Sequence, residues 1–234
     1  MRRIPPPALF LKMDEEALET QATTYIASLS EHPIMKGRGP QYVRKYDTRD
    51  LITKADVLNA TWSYMVGLIT FLLKQRYECC AIRNLNGDPF TEFSFGVPPS
   101  RRSIPSRYVA SIVFAKRGLL DAKEFRPAFK DRSEVRTTKD LLWEQNKESL
   151  LEANAEVLGM VLKWFAKERK CRFVGIFDWD TLVLIEFPDP ISKLEGNYYP
   201  KALVLDSSER HLFRRRLFGF FLAAFEAAGM SPAK

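Results

Sequence analysis

The sequence predicts an α/β protein: a mixed sheet in the order α-β-β-β-α-β-β-α, with its helices packed on the sheet. Three observations carry this. Segments whose apolar residues recur at helical spacing alternate with short apolar runs of strand length. The residues between paired runs are those of hairpin turns. And 234 residues, 46% of them apolar, suffice to bury one core. This divides the chain into an N-terminal arm, residues 1–50, partly extended and partly helical, and a single α/β domain over residues 51–234.

In the arm, Pro5, Pro6 and Pro7 set an extended start, residues 14–29 have the composition of one polar helix, and Pro33, Gly37, Gly39 and Pro40 supply turn chemistry. Ile26, Leu29, Ile34 and Met35 predict an arm that lies on the domain or on a neighbour rather than a disordered tail. The domain opens at Thr53, a helix cap with Asp56 in the first turn near the positive end of the dipole. Val57, Leu58, Trp62, Met65, Ile69 and Leu72 then trace one buried helical face.

Strands follow at 77–82 and 90–97, joined by a turn in which Asn86 and Gly87 suit positive φ. Residues 108–115 are nearly all apolar, which predicts a central strand covered on both faces. Residues 117–137 are charged and irregular, broken by Gly118 and Pro127. From Thr138 a helix of about thirty residues is predicted by the stripe Leu142, Leu151, Leu158, Val161 and Phe165. Its tail, Lys163, Lys167, Arg169 and Lys170, suits the negative end of the dipole. Strands at 173–177 and 182–187 flank Asp178, Trp179 and Asp180; a loop with Pro188, Pro190, Gly196 and Pro200 follows. Ser207 is the expected cap of a last helix that stops near Gly229, ahead of Pro232.

With 36 basic against 29 acidic residues, the net charge of +7 favours phosphate or an acidic protein surface as partner. Three cysteines, two of them the adjacent Cys79 and Cys80 whose side chains diverge on a strand, predict reduced thiols and an intracellular protein, nuclear or cytoplasmic. Apolar runs at 66–73 and 217–230 are cut by charges and read as buried helix faces, so no membrane is expected; residues 1–12 are too short and too acidic behind for a secretory signal.

Little chemistry is spelled out. His32 and His211 are the only histidines, too few for a histidine-based metal site or triad. Gly37 and Gly39 lack the strand and the Lys-Ser or Lys-Thr of a phosphate loop. The order helix, three strands, helix, strand resembles the core of the PD-(D/E)XK nuclease superfamily. With a further strand and closing helix it is similar to the fungal nuclease-like proteins of that kind, over residues 53–229. The resemblance implies an acid on the second strand and acid-x-Lys on the third, together holding Mg²⁺ and orienting a water. The matching positions are Asp88 or Glu92 and Lys116, but the third-strand acid falls on Phe114, whose ring cannot ligate a hard cation. The triplets Asp121-Ala122-Lys123 and Glu168-Arg169-Lys170 match the motif at the frequency chance supplies; in an active nuclease Asp121 and Lys123 would complete the set.

Asp178 and Asp180 read either as turn residues or, with Glu186, as a metal or general-acid site. Glu186, in an apolar strand, needs solvent or a partner such as Lys163 or Arg172. Basic clusters remain. Arg101, Arg102, Arg107, Lys116 and Arg117, which bracket the third strand, are the candidate nucleic-acid contacts; Lys167, Arg169, Lys170 and Arg172 form a second group. Arg214, Arg215 and Arg216 span most of a helical turn, so some must face protein.

The expected protein is a non-catalytic nuclease-like scaffold, without cofactor, that binds a protein partner or nucleic acid. The alternatives are a Mg²⁺-dependent nuclease using Asp88, Glu92, Asp121 and Lys116 or Lys123, and a homodimer paired through Phe213, Phe218, Phe221 and Phe225.

Overall fold

A computed structural model describes residues 5–29, 53–84, 91–98, 107–189 and 199–230. The chain enters through a short strand β1 (Phe10–Lys12) and a helix α1 (Glu15–Leu29). Thr53 then starts a helix through a reciprocal capping box: its hydroxyl accepts from the Asp56 N–H at 3.2 Å, and the Asp56 carboxylate accepts from the Thr53 N–H at 2.7 Å. The helix runs as α2 (Lys54–Thr61), a π turn over Trp62–Val66, and α3 (Gly67–Lys74). At the π turn the Trp62 carbonyl lies where a Cβ on Gly67 would be only 2.6 Å away, so glycine is required there. Lys54–Lys74 is long and apolar enough to cross a membrane by length and composition, but over half of it is buried in this fold, as in a core helix.

Strands β2 (Cys80–Asn84), β3 (Thr91–Val97) and β4 (Arg107–Phe114) form an antiparallel meander, with Ser94 opposite Ser111. Beyond it come a short helix α4 (Ala122–Phe125), a two-residue strand β5 (Phe129–Lys130), and helices α5 (Val135–Glu144) and α6 (Ala153–Arg169). Strand β6 (Phe173–Phe177) returns parallel to β4, and β7 (Leu182–Glu186) and β8 (Lys201–Leu205) add antiparallel neighbours before the closing helix α7 (Arg210–Ala227). The described residues thus form an α/β fold around one mixed eight-stranded sheet, ordered β2-β3-β4-β6-β7-β8-β1-β5.

Alternation along β4 explains its unbroken apolar run. Ile112 and Phe114 face a core shared with α1, α2, α3 and α7, while Val113 faces a second core under α6. The first core is aromatic: Phe95 packs edge-on to Phe221 at 5.0 Å and Phe177 to Phe213 at 5.7 Å. Phe213, Phe218, Phe221 and Phe225 are each at most 2% exposed, so the rings expected to pair with a second copy face this sheet instead.

Three other expectations are corrected. The long helix from Thr138 is two helices, because the chain turns through Asn146 at φ 51° and the N-terminal segment docks in the gap. There the Ser149 hydroxyl donates to the Pro7 carbonyl at 2.7 Å and the Leu150 N–H to the Ala8 carbonyl at 2.9 Å. The last helix is capped by Asp206, not Ser207: Asp206 accepts from the Ser208 N–H at 2.9 Å and leads a 3-10 turn over Ser207–Glu209. And β1, β5 and β8 add to the expected order; β1 lies parallel between β8 and β5. Helix α1 packs so closely on α7 that a Cβ at Gly219 would stand 2.1 Å from the Leu18 carbonyl oxygen.

Candidate functional site

The carboxylate the nuclease resemblance singles out is engaged by protein. Glu92, on the α6 face of β3, is 3% exposed; one oxygen accepts from Arg169 at 2.8 Å, the other from the Ser94 hydroxyl at 2.5 Å. Ser94 lies 2.6 Å from the Ser111 hydroxyl on the next strand. Arg169 is further fixed over the Tyr108 ring, 5.2 Å from its centre.

Phe114 is buried on the opposite face, edge-on to Phe177 at 6.3 Å; the β4 residue in register with Glu92 is Val113. The neighbour of Glu92 on its own face of β4 is thus an apolar residue, Val113. Asp121 is an exposed helix cap, accepting from the Lys123 N–H at 2.8 Å; Lys116 and Lys123 are exposed beyond the end of β4. Asp88 and His32 lie outside the described residues, among which no three His, Cys, Asp or Glu residues group as a metal site. His211 is exposed on the first turn of α7.

The Asp178–Asp180 turn is a structural knot. Asp178 is fully buried and accepts three backbone N–H bonds: Leu120 and Thr181 at 2.8 Å, and Asp180 at 3.1 Å. Burial pushes its carboxyl above the ordinary aspartate value, against the pull of those three donors. Asp180 is gripped by Arg117 at 2.7 Å and Arg210 at 2.5 Å. Between them Trp179 adopts φ 85°, with its ring against Tyr64 and Phe177. Arg117, expected to contact nucleic acid, is thus tied inside this knot.

The basic residues around β4 do not form one patch. Arg107 opens β4 and Lys116 lies two residues past its far end; at about 3.3 Å per residue the strand alone separates its two ends by roughly 23 Å. Arg101 and Arg102 lie outside the described residues. What Arg107 joins instead is the second group. The parallel register Ala110 opposite Phe173 brings the start of β4 beside the end of α6, where Lys170 takes a left-handed cap (φ 48°) that turns the chain into β6. The result is a cavity of about 450 Å³ whose charged lining among the described residues is Arg107, Lys167, Lys170, Arg172 and one acid, Asp189. Its apolar lining comes from Tyr108, Val109, Phe173 and three alanines of the α7 end, Ala224, Ala227 and Ala228.

Two of these cations have structural partners. Arg107 donates to the Ala228 carbonyl at 3.4 Å; Arg172 donates to the Phe187 carbonyl at 3.2 Å and to Glu186 at 3.0 Å. Of the two partners expected for Glu186, Arg172 is the one used, joined by Lys201 at 3.4 Å, while Lys163 reaches the Pro5 carbonyl. Lys167 and Lys170 are exposed and their ammonium groups have no ion pair or hydrogen bond among the described residues. Two helix C-termini, of α6 and α7, point here, but at roughly half a negative charge each they offset about one cation of the four. The cavity is left positive. Beneath it Cys171 is fully buried, which pushes its thiol up to about 12 and keeps it protonated.

The third basic cluster faces protein. Arg214 donates to the Tyr64 carbonyl at 2.8 Å, Arg215 pairs with Glu19 at 2.5 Å, and Arg216, 7% exposed, bonds the Glu15 carbonyl and Glu19. A second cavity, about 590 Å³ between α1, α3 and α7, carries among the described residues one cation, Arg76, and one acid, Glu226. Sequence reasoning saw both groups that line the basic cavity but not their union, which depends on strand register. No family model, no curated protein and no solved structure matches this chain.

Proposed function

We propose that this chain is a non-catalytic, nuclease-like scaffold that binds nucleic acid through the basic cavity at the start of β4. The observation that carries the reading is the convergence of Arg107, Lys167, Lys170 and Arg172 on one cavity with one opposing carboxylate among the described residues. Support for the nuclease-like half is topological: an antiparallel meander β2-β3-β4, a helical crossover through α6, and a strand β6 parallel to the last of the three. Support for the non-catalytic half is chemical. Glu92 accepts from Arg169 and Ser94, so recruiting it to a cation means breaking a buried ion pair, a cost of several kcal/mol. Mg²⁺ has no role in this reading. The unpaired thiols Cys79, Cys80 and Cys171 suit a reducing compartment, nuclear or cytoplasmic.

The test is binding of labelled single-stranded DNA and RNA across a salt series, with and without Mg²⁺. Binding should weaken steeply with salt, drop in a Lys167→Glu/Lys170→Glu double variant, and leave the strands intact. Mg²⁺-dependent cleavage that disappears in Glu92→Ala would overturn the non-catalytic reading. Binding that is indifferent to salt and to both lysines would overturn the nucleic-acid reading.

A further inference from the structure

We infer that the basic cavity holds a single nucleotide unit, a nucleoside 5′-monophosphate, presented by a strand end or as a free nucleotide. This rests on the nucleic-acid reading above and narrows it. The cavity's described lining combines two chemistries. Charge comes from Lys167 and Lys170, exposed and without ion-pair partners among the described residues, and from Arg107. Apolar contact comes from Val109, Phe173, Ala224 and the exposed Ala227. A site for phosphate alone has no use for an apolar wall, and a site for an apolar ligand has no use for three converging cations. A nucleotide needs both.

Size and shape narrow it further. The volume, about 450 Å³, falls within the roughly 300–1,000 Å³ typical of small-molecule sites. A duplex presents its phosphates along grooves and cannot place a base in such a cavity, whereas an unpaired nucleotide can turn its base inward. The α7 wall is built of alanines, which have no side-chain atoms beyond Cβ, so a flat ring can lie against it. Such a wall offers apolar contact without base-edge hydrogen bonds, so it accepts any base. Among the described residues Asp189 is the one carboxylate lining the cavity, and it lies 3.8 Å from Arg172. It is a ready acceptor for a sugar hydroxyl, and it repels a second phosphate.

The experiment is competition against a short fluorescent single strand bound to the full chain, read by anisotropy. The competitors are AMP, UMP, inorganic phosphate, a blunt duplex, and single strands with and without a 5′-phosphate. AMP and UMP should displace the probe at concentrations about tenfold below that needed for inorganic phosphate, through the contact of the base with the apolar wall. Ala227→Trp, at an exposed helix end, should abolish that advantage; Ala227→Leu serves should the larger ring perturb folding. A preference for the 5′-phosphorylated strand over its 5′-hydroxyl counterpart identifies a strand end as the source. Equal affinity for the two identifies the free nucleotide.

Probe binding that depends on Lys167 and Lys170 but resists AMP and UMP overturns this inference and leaves the nucleic-acid reading standing. AMP and phosphate competing equally, or a duplex competing as well as AMP, overturns it in the same way. If no strand binds at all, the proposed function fails, and this inference with it.

Discussion

The two ends of β4 are flanked by similar cations and use them in opposite ways. At the C-terminal end Arg117 is held by Asp180, which Arg210 also grips, and the turn is anchored by the buried Asp178. At the N-terminal end Lys167 and Lys170 line a cavity with no partner among the described residues. In sequence Lys116-Arg117 and Lys167 to Arg172 look equally basic. The difference teaches that a cluster of cations is open to a ligand only where folding has not already supplied the anions. The same lesson holds within one helix tail, where Arg169 is locked to Glu92 while its neighbours are not.

The sharpest way to break this contrast lies in that tail. Arg169→Ala leaves Glu92 buried without its cation and should cost about 3–5 kcal/mol in a urea unfolding midpoint, whereas Lys167→Ala and Lys170→Ala should each stay within about 0.5 kcal/mol. Equal effects would erase the distinction between paired and unpaired cations. Next in size is Asp178→Ala, which removes the acceptor from three backbone N–H groups; about 3 kcal/mol of stability should be lost, and a loss well under 1 kcal/mol would remove the structural account of the turn.

A smaller effect separates the two ends by binding. Lys170→Glu should lower affinity for single-stranded nucleic acid and flatten its salt dependence by about one phosphate contact, while Lys116→Glu leaves both unchanged. A loss caused by Lys116→Glu would move the interface to the other end of the strand.

The smallest effect is in acid. Glu19 is held below the usual glutamate range chiefly by its hydrogen bond from Arg215, and Asp206 below the aspartate range chiefly by Ser208. A depressed carboxyl contributes stability that is present above its unfolded value, about 4, and is lost as pH falls through the folded one. Asp178 has the opposite sign: its raised value means that lowering the pH toward about 4 favours the folded state. Melting temperature against pH for Asp206→Asn should therefore converge on the wild type below pH 4, and curves that stay parallel would show the cap to be electrostatically neutral.

Much of the sheet was legible because its central strands satisfy a local rule. The runs containing β4, β6 and β7 are apolar enough to be covered on both faces, β3 follows a recognisable turn, and Thr53 with Asp56 spells a helix start. What escaped depends on distant partners. Residues Phe10–Lys12 and Phe129–Lys130 are too short to show a period and become strands only because Phe10 aligns with Phe129 and Leu11 with Lys201. The strand Lys201–Leu205 is apolar but hidden between Pro200 and the cap at Asp206. The break between α5 and α6 reflects Pro7 and Ala8 docking from the other end of the chain. The candidate site escaped for the same reason: its cations were visible as two separate groups, and only the parallel β4–β6 register unites them. That Val113 and not Phe114 shares the face of Glu92 also turns on register, because one step along a strand reverses the direction of the side chain.

The placement of β1 between β8 and β5 sets the order in which the molecule can be finished during synthesis. Residues 10–12 leave the ribosome long before the strand that ties them to the rest of the sheet, Lys201–Leu205. Until that strand emerges, β1 and β5 can pair only with each other, and the far edge of the sheet waits as an unattached ribbon. A nascent chain halted before residue 201 carries its meander and its α6 crossover but no closed edge.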